Sequence, residues 1–390
     1  MVQVERRYGL RVAVLYPSSN IRVPFNPAEL WTSSRGMTGS EGSCVHYAIS
    51  LAKLGHSVTL FVKSVGPGHT DGINVCPYEE WASTYAAQHW DAVCSWMTPE
   101  PLKLAQPGVF RLFNEQVSDF SCCEPGWESY VDLFCVLSQS HADYMAGQTG
   151  FDRTRWRIMH NGVDCNAFRP GEKVRGKCIW ASSHDRGLHW LLEVWPKVRA
   201  GFPDATLHIF YDFNGVEVFS RMEGFDPSQE SNRRYNELGQ RSRYVLEALR
   251  RMEGKHGVHT YKSVSRDRIK DEMASSSVLS YPLDPIHYTE TFGVTVLEAC
   301  ATGTVPVICA ADCFDELWGK VSVKVQPPYP SHKDKYVDNL VRTLGSDHLS
   351  LVAKNCVDHA RQFDWEVLGR RLEATLLSRG VDGFAKANVV

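Results

Sequence analysis

Two carboxylates, Glu290 and Glu298, stand in a Glu-x7-Glu spacing around Thr291-Phe292-Gly293 and an apolar run that continues to Ala301. From Gly293 onward, Val294, Val296, Leu297, Ala299, Cys300 and Ala301 fit a buried helix, which Gly303 and Pro306 stop before a short strand at 305–308. Glu290 therefore precedes the helix and Glu298 rides on it. At a rise of about 1.5 Å per residue, Thr291 to Glu298 covers about 10 Å, so both carboxylates reach one extended polar ligand laid across the helix N-terminus. Free backbone N–H groups and the positive end of the helix dipole suit that end to a phosphate or diphosphate.

The elements that must position these residues follow a βαβ rhythm. Apolar runs at 11–16, 57–62, 92–94, 108–113 and 133–137 have strand character and are separated by amphipathic segments. After the polar, turn-rich stretch 168–173 the rhythm restarts at 177–181, 205–211, 258–261, 278–281 and 305–308. The fold class is α/β, with two Rossmann-like, doubly wound domains expected over 1–170 and 171–365. A terminal helix is expected after Phe363-Asp364-Trp365, within 366–390. Between 212 and 257 a charged insertion, helical over 229–252, is too long for a simple connection and is expected to be a peripheral excursion.

At 390 residues the chain exceeds one typical core, which agrees with two domains. A hydrophobic content of 43% and a charged content of 22% are those of an ordinary globular protein. A net charge of −3 argues against holding nucleic acid through a broadly basic surface. The twelve cysteines, Cys122-Cys123 and Cys309 with Cys313 among them, lack the paired spacing of a zinc site, and buried free thiols in a reducing cytoplasm are expected. The run after Gly9 is a first strand, too short for a membrane span, so no integral membrane association is expected.

Five ordered motifs carry a family resemblance. Glu290-Thr-Phe-Gly with Glu298-Ala, Gly303 and Pro306-Val307 resembles the signature of retaining glycosyltransferases of the GT-B fold, most like family 4. Asn161-Gly162-Val163-Asp164 with Phe168 and Pro170 is similar to that family's interdomain junction. Gly36 to Glu41, with the later Leu54-Gly55-His56-Ser57-Val58, resembles its Gly-rich loop and helix exit. The segment from Trp180 to Leu188 stands where the family opens its second domain, and Phe363-Asp364-Trp365 resembles its closing Phe-Ser-Trp.

The resemblance implies two domains facing a cleft, a C-terminal helix packed back on the first domain, and transfer of a sugar from a nucleoside diphosphate, UDP or GDP, to an acceptor hydroxyl. It implies that Glu298 accepts from the ribose hydroxyls and that Glu290 lies by the sugar. Thr291, Phe292 and Gly293 would meet the sugar or diphosphate, Gly39 would let backbone approach the phosphates, Ser40, Ser182 and Ser183 would also stand on the donor side, and Arg186 would grip the phosphates. No further cofactor and no metal are implied, and no Asp-x-Asp occurs.

The sequence departs from the family twice. Ser182 or Ser183 stands where the family has an arginine, leaving Arg35 or Arg266 as candidates for a second cation. Asn114, Glu115 and Gln116 stand where many relatives carry a histidine, and are the acceptor-side candidates. The acceptor is a glycan, protein or small molecule, its recognition expected in 20–37 and 119–127. A modified DNA base is a rival without support from net charge, and a catalytically reduced sugar-nucleotide-binding subunit is another. Trp31, Trp96 and Trp127 are candidates to stack on a sugar. His160-Asn161-Gly162 is expected to be a turn with positive φ. His184 and His189 are expected as surface or core residues, and Arg241, Arg243, Arg250 and Arg251 as a solvated face.

Overall fold

The computed structural model describes residues 9–17, 24–63, 66–118, 123–326 and 332–384. Positions 20–23 and 119–122 of the expected acceptor loops, Cys122 included, lie outside them. The chain divides into two compact units: Met1–Leu30 with Met37–Gly162 and Phe363–Val390, and Trp31–Gly36 with Val163–Gln362.

The first unit contains β1 (Arg11–Tyr16), α1 (Gly39–Lys53), β2 (Ser57–Val62), β3 (Gly68–Thr70), β4 (Ile73–Pro77) and β5 (Ala92–Trp96). It continues with β6 (Phe110–Asn114), β7 (Leu133–Val136), α2 (Gln139–Thr149) and β8 (Trp156–Ile158). They form an eight-stranded sheet in the order β3-β4-β2-β1-β5-β6-β7-β8, parallel except for the β3–β4 pair. Leu133–Val136 and Ala92–Trp96 are buried along their whole length, as strands covered on both faces must be. Trp96 lies in β5 and Trp127 packs among Phe113, Phe134 and Phe151, so both belong to the core and not to sugar-stacking loops.

The second unit runs β9 (Val174–Trp180), α3 (Leu188–Gly201), β10 (Thr206–Phe210), α4 (Phe213–Phe219), α5 (Glu230–Met252), β11 (Val258–Tyr261) and α6 (Arg266–Ser275). Then follow β12 (Ser276–Tyr281), α7 (Val294–Ala301), β13 (Val305–Cys309), α8 (Phe314–Trp318), β14 (Val323–Val325), α9 (Lys333–Leu344) and α10 (Leu349–Ala360). Its six-stranded parallel sheet has the order β11-β10-β9-β12-β13-β14.

The segment 212–257 is not peripheral. Parallel strands β10 and β11 are neighbours, and a parallel pair needs a crossover, which α4 and α5 supply. Gly239, Ser242, Val245, Ala248, Leu249 and Met252 form its buried stripe. Two of its arginines are engaged, Arg241 with Asp284 at 3.4 Å and Arg243 with Glu223 at 3.1 Å, whereas Arg250 and Arg251 are exposed.

The last helix, α11 (Trp365–Leu377), lies on α1 within the first unit. The Trp365 ring stacks on His46 at 4.9 Å, Ser50 Oγ donates to the Trp365 carbonyl at 3.2 Å, and His56 meets Glu373 at 3.1 Å. Gly162 is not a positive-φ turn residue. A Cβ there would lie 2.7 Å from the Phe363 carbonyl oxygen and 2.8 Å from the Trp365 ring, so glycine is required by close approach. Among the described residues no helix is long and apolar enough to cross a membrane.

Candidate functional site

In the second sheet β9 and β12 are neighbours, and the connections leaving them run to opposite sides. Ligand crevices form outside the carboxyl ends of strands at such a point. β9 delivers Ser182 and Ser183 there, and a single helical turn, His184–Arg186, brings Arg186. β12 ends at Tyr281, from which the chain runs to Glu290. Gly187 joins the two: it has φ 113°, and a Cβ on it would lie 2.1 Å from the Pro282 carbonyl oxygen. Behind this turn His184 Nε2 meets Ser242 Oγ at 2.8 Å, so α5 buttresses the residues that carry Arg186.

The side chains converge on Glu290. Its Oε2 faces Arg186 Nη1 at 3.2 Å and accepts from the Tyr281 hydroxyl at 3.0 Å, while Ser182 Oγ lies 2.7 Å from the Tyr281 oxygen. Its Oε1 accepts the Gly293 N–H at 2.9 Å. Asp312 accepts the N–H groups of Thr289 and Glu290 at 3.0 and 2.8 Å. Burial alone would weaken the charge of Arg186, but Glu290 and then Asp185 outweigh it and raise its pKa. Burial likewise works against the Asp185 carboxylate, and Arg186 together with the Ser183 hydroxyl and His184 outweighs it, holding the carboxylate below the usual range. Asp312 is pushed up by its burial, with Glu290 adding to the effect. Burial and then Glu290 push the Tyr281 phenol well up, so it remains an O–H donor.

Gly293 is the N-cap of α7, with φ 86°. A Cβ there would lie 2.7 Å from the Phe314 ring and 2.8 Å from Trp318 Nε1. Trp318 donates to the Phe292 carbonyl at 2.7 Å, and Thr295 Oγ1 donates to the Ala181 carbonyl at 2.9 Å, tying the helix start to the end of β9. Because Glu290 holds the Gly293 N–H, the groups left for an anion are the N–H groups of Val294 and Thr295, which have no acceptor within the helix. Thr291 and Phe292 are buried. Glu298 is also buried, and is paired with Arg266, which opens α6.

The structure thus joins Arg186, Glu290 and Ser182, whereas Ser183 bonds to Tyr211 at 3.1 Å and Glu298 forms its own pair with Arg266. Tyr281 and Asp312 were missed in the sequence. The signal for Tyr281 was its place at the end of a strand beside the sheet's switch point. Among the described residues no group of three or more His, Cys, Asp or Glu is placed to hold a metal ion.

In the first unit Gly39 opens α1. Ser40 Oγ lies 2.9 Å from the Tyr16 hydroxyl, and the cap of α1 is Thr38, in a reciprocal box with Glu41, not Ser40. Asn114, Glu115 and Gln116 are buried at the carboxyl end of β6. Asn161 Nδ2 donates to Gln116 Oε1 at 3.0 Å, and Glu115 Oε1 accepts the N–H groups of Gln116 and Val117 at 2.9 and 3.0 Å. His141 accepts the Leu137 N–H at 3.3 Å and lies 3.1 Å from the Val117 carbonyl, and burial lowers its pKa to about 3. Among the described residues neither end of the Asn114 amide has a hydrogen-bond partner.

No family model matches the chain. The D-inositol 3-phosphate glycosyltransferase of Mycolicibacterium smegmatis is 23% identical over 241 residues, 60% of this chain, and the chain spans about half (50%) of that relative's length. Among solved structures, a glycosyltransferase from Rickettsia africae has a TM-score of 0.66 at 13% identity, covering 95% of this chain and 99% of that one. HepE of Anabaena, solved with UDP and glucose, has a TM-score of 0.62 at 14% identity, covering 94% of this chain and 100% of that one. The chain therefore has the GT-B fold, the two-sheet α/β architecture that these glycosyltransferases share.

Proposed function

We propose that the protein is a glycosyltransferase that moves a sugar from a nucleoside diphosphate sugar to an acceptor hydroxyl, with retention of configuration and without a metal ion. The observation that carries this reading is the Arg186–Glu290–Tyr281–Ser182 network beside the start of α7. The HepE structure, with UDP and glucose, supports a nucleotide-sugar donor.

In this mechanism the anomeric C–O bond breaks and its electron pair leaves with the diphosphate. Arg186 and the N–H groups of Val294 and Thr295 stabilise the charge that develops. Glu290 holds the donor sugar and is itself oriented by Tyr281 and Arg186. Glu298 accepts from the ribose. The acceptor hydroxyl attacks from the face the diphosphate has left, and the departing phosphate oxygen takes its proton, so no protein base is required. Asn114, Glu115 and Gln116 bind the acceptor.

A second reading, a sugar-nucleotide-binding subunit with reduced catalysis, is favoured by two observations: Arg186 faces the carboxylates of Glu290 and Asp185, and Ser182 or Ser183 takes the position of an arginine in the family the chain resembles. Thermal shift and nucleotide release with UDP-, GDP- and ADP-sugars, on wild type and Glu298→Ala, separate the two. A donor that stabilises the wild type and is slowly hydrolysed by it alone supports transfer. Binding without release supports the subunit, and no binding overturns the donor site.

A further inference from the structure

The hexapeptide Trp31–Gly36 lies in sequence between β1 and α1, inside the first unit's stretch of chain, yet it clusters with the second unit. Two backbone contacts hold it there. The Trp31 carbonyl accepts the Asp267 N–H at 3.2 Å, and Gly36, at φ 71°, comes so near the chain that a Cβ would lie 3.3 Å from the Val264 carbonyl oxygen.

Its indole ring meets Arg266. The guanidinium carbon lies 5.8 Å from the Trp31 ring centre and 5.5 Å from that of Phe168, and the two rings are 6.3 Å apart. Arg266 is the first residue of α6, where the helix dipole disfavours a cation. Its side chain is only 13% exposed, Nη2 pairs with Glu298 Oε1, and Nε has no hydrogen-bond partner among the described residues. The two aromatic rings, with one carboxylate oxygen, therefore set where this guanidinium sits. Arg266 in turn fixes one oxygen of Glu298 and leaves the other for a ligand.

We propose that Trp31 and Arg266 are positioning residues for Glu298, so that the Trp31–Gly36 strap sets how strongly the donor's ribose is held. This rests on Glu298 taking ribose hydroxyls. The Trp31 ring keeps the guanidinium against Oε1, and the guanidinium orients the carboxylate. Without the ring the arginine gains room, and the carboxylate loses its fixed direction.

The test is calorimetric binding of UDP, GDP and their 2′,3′-dideoxy counterparts to wild type, Glu298→Ala, Arg266→Ala, Trp31→Ala, Trp31→Leu and Trp31→Phe. Wild type should prefer the ribose form of its nucleotide by about ten-fold, the worth of a hydrogen bond to a carboxylate. Glu298→Ala should abolish that preference. Trp31→Ala and Trp31→Leu should reduce it to about two-fold with dideoxynucleotide binding unchanged, Trp31→Phe should keep most of it, and the Trp31→Ala/Arg266→Ala double variant should match Arg266→Ala. The proposal is overturned if the Trp31 variants keep the wild-type preference, or weaken both forms equally as a purely structural residue would. If wild type shows no preference, or binds neither UDP nor GDP, the ribose role of Glu298 falls and the proposal with it.

Discussion

The two units each place polar side chains at the carboxyl ends of a parallel sheet, in opposite chemical styles. In the second unit they are charged and paired: Arg186 with Glu290, Arg266 with Glu298. In the first they are mostly neutral, the amides of Asn114, Gln116 and Asn161 and the His141 imidazole that burial keeps uncharged, and the Glu115 carboxylate among them is held by the backbone N–H groups of Gln116 and Val117. Fixed charges suit a ligand whose charge changes during reaction, whereas neutral donors and acceptors suit one recognised by its hydroxyls. The contrast fits the proposed division between a diphosphate-bearing donor and an acceptor that reacts through a hydroxyl.

The strongest way to break this contrast is Arg186→Met. It leaves Glu290 and Asp185 without their cation, so turnover, followed as nucleotide release, should fall by about 10²–10³-fold. Stability in urea should fall by about 3–5 kcal/mol, the usual result of orphaning a buried charge. A smaller effect would mean that another cation shares the site.

Acid should reveal the neutral style of the first unit. The folded-state pKa of His141 is lowered from 6.5 to about 3, so between those values the unfolded chain binds a proton that the native one refuses. Its contribution to stability is complete above pH 6.5 and is lost as the pH falls towards 3, at about 1 kcal/mol per pH unit. Urea unfolding from pH 7 to pH 4 should show this slope, and His141→Gln should flatten it.

Within the charged network, Tyr281→Phe removes one hydrogen bond to Glu290 and keeps the ring. Turnover should fall by about ten-fold with donor affinity unchanged. An unchanged turnover would show that Arg186 and the Gly293 N–H suffice to orient the carboxylate.

The smallest expected effect is the most diagnostic of the amide side. Asn114→Leu replaces an amide that has no partner by an apolar side chain of similar volume, so stability should hold or rise by about 1 kcal/mol. Transfer to the acceptor should fall while donor hydrolysis persists. A loss of stability would indicate that the amide has a bound partner.

The parallel sheets were legible because fully buried strands leave continuous apolar runs, as in Val12 to Tyr16 and Leu133 to Val136. The short strands at Gly68–Thr70 and Val323–Val325 were not, because they are brief and partly exposed. The crossover role of α5 escaped because its buried stripe is narrow and opens on Gly239 and Ser242, with its apolar part confined to Val245, Ala248, Leu249 and Met252 in an otherwise charged helix. Glu290 and Arg186 were found from spacing and resemblance. Tyr281 and Asp312 join them only through the fold, since nothing in the local sequence brings Asp312 to the N–H groups of Thr289 and Glu290.

The packing of α11 on α1 bears on the order of synthesis. The first unit is interrupted: Trp365, which stacks on His46 and lies against Tyr47, is translated only after the whole second unit. At about 5–20 residues per second, α1 emerges from the ribosome about fifteen to sixty seconds before its covering helix. During that interval the nascent first unit carries an uncovered aromatic face, so a chaperone acting on this chain should engage α1 and should release it once Trp365 has docked.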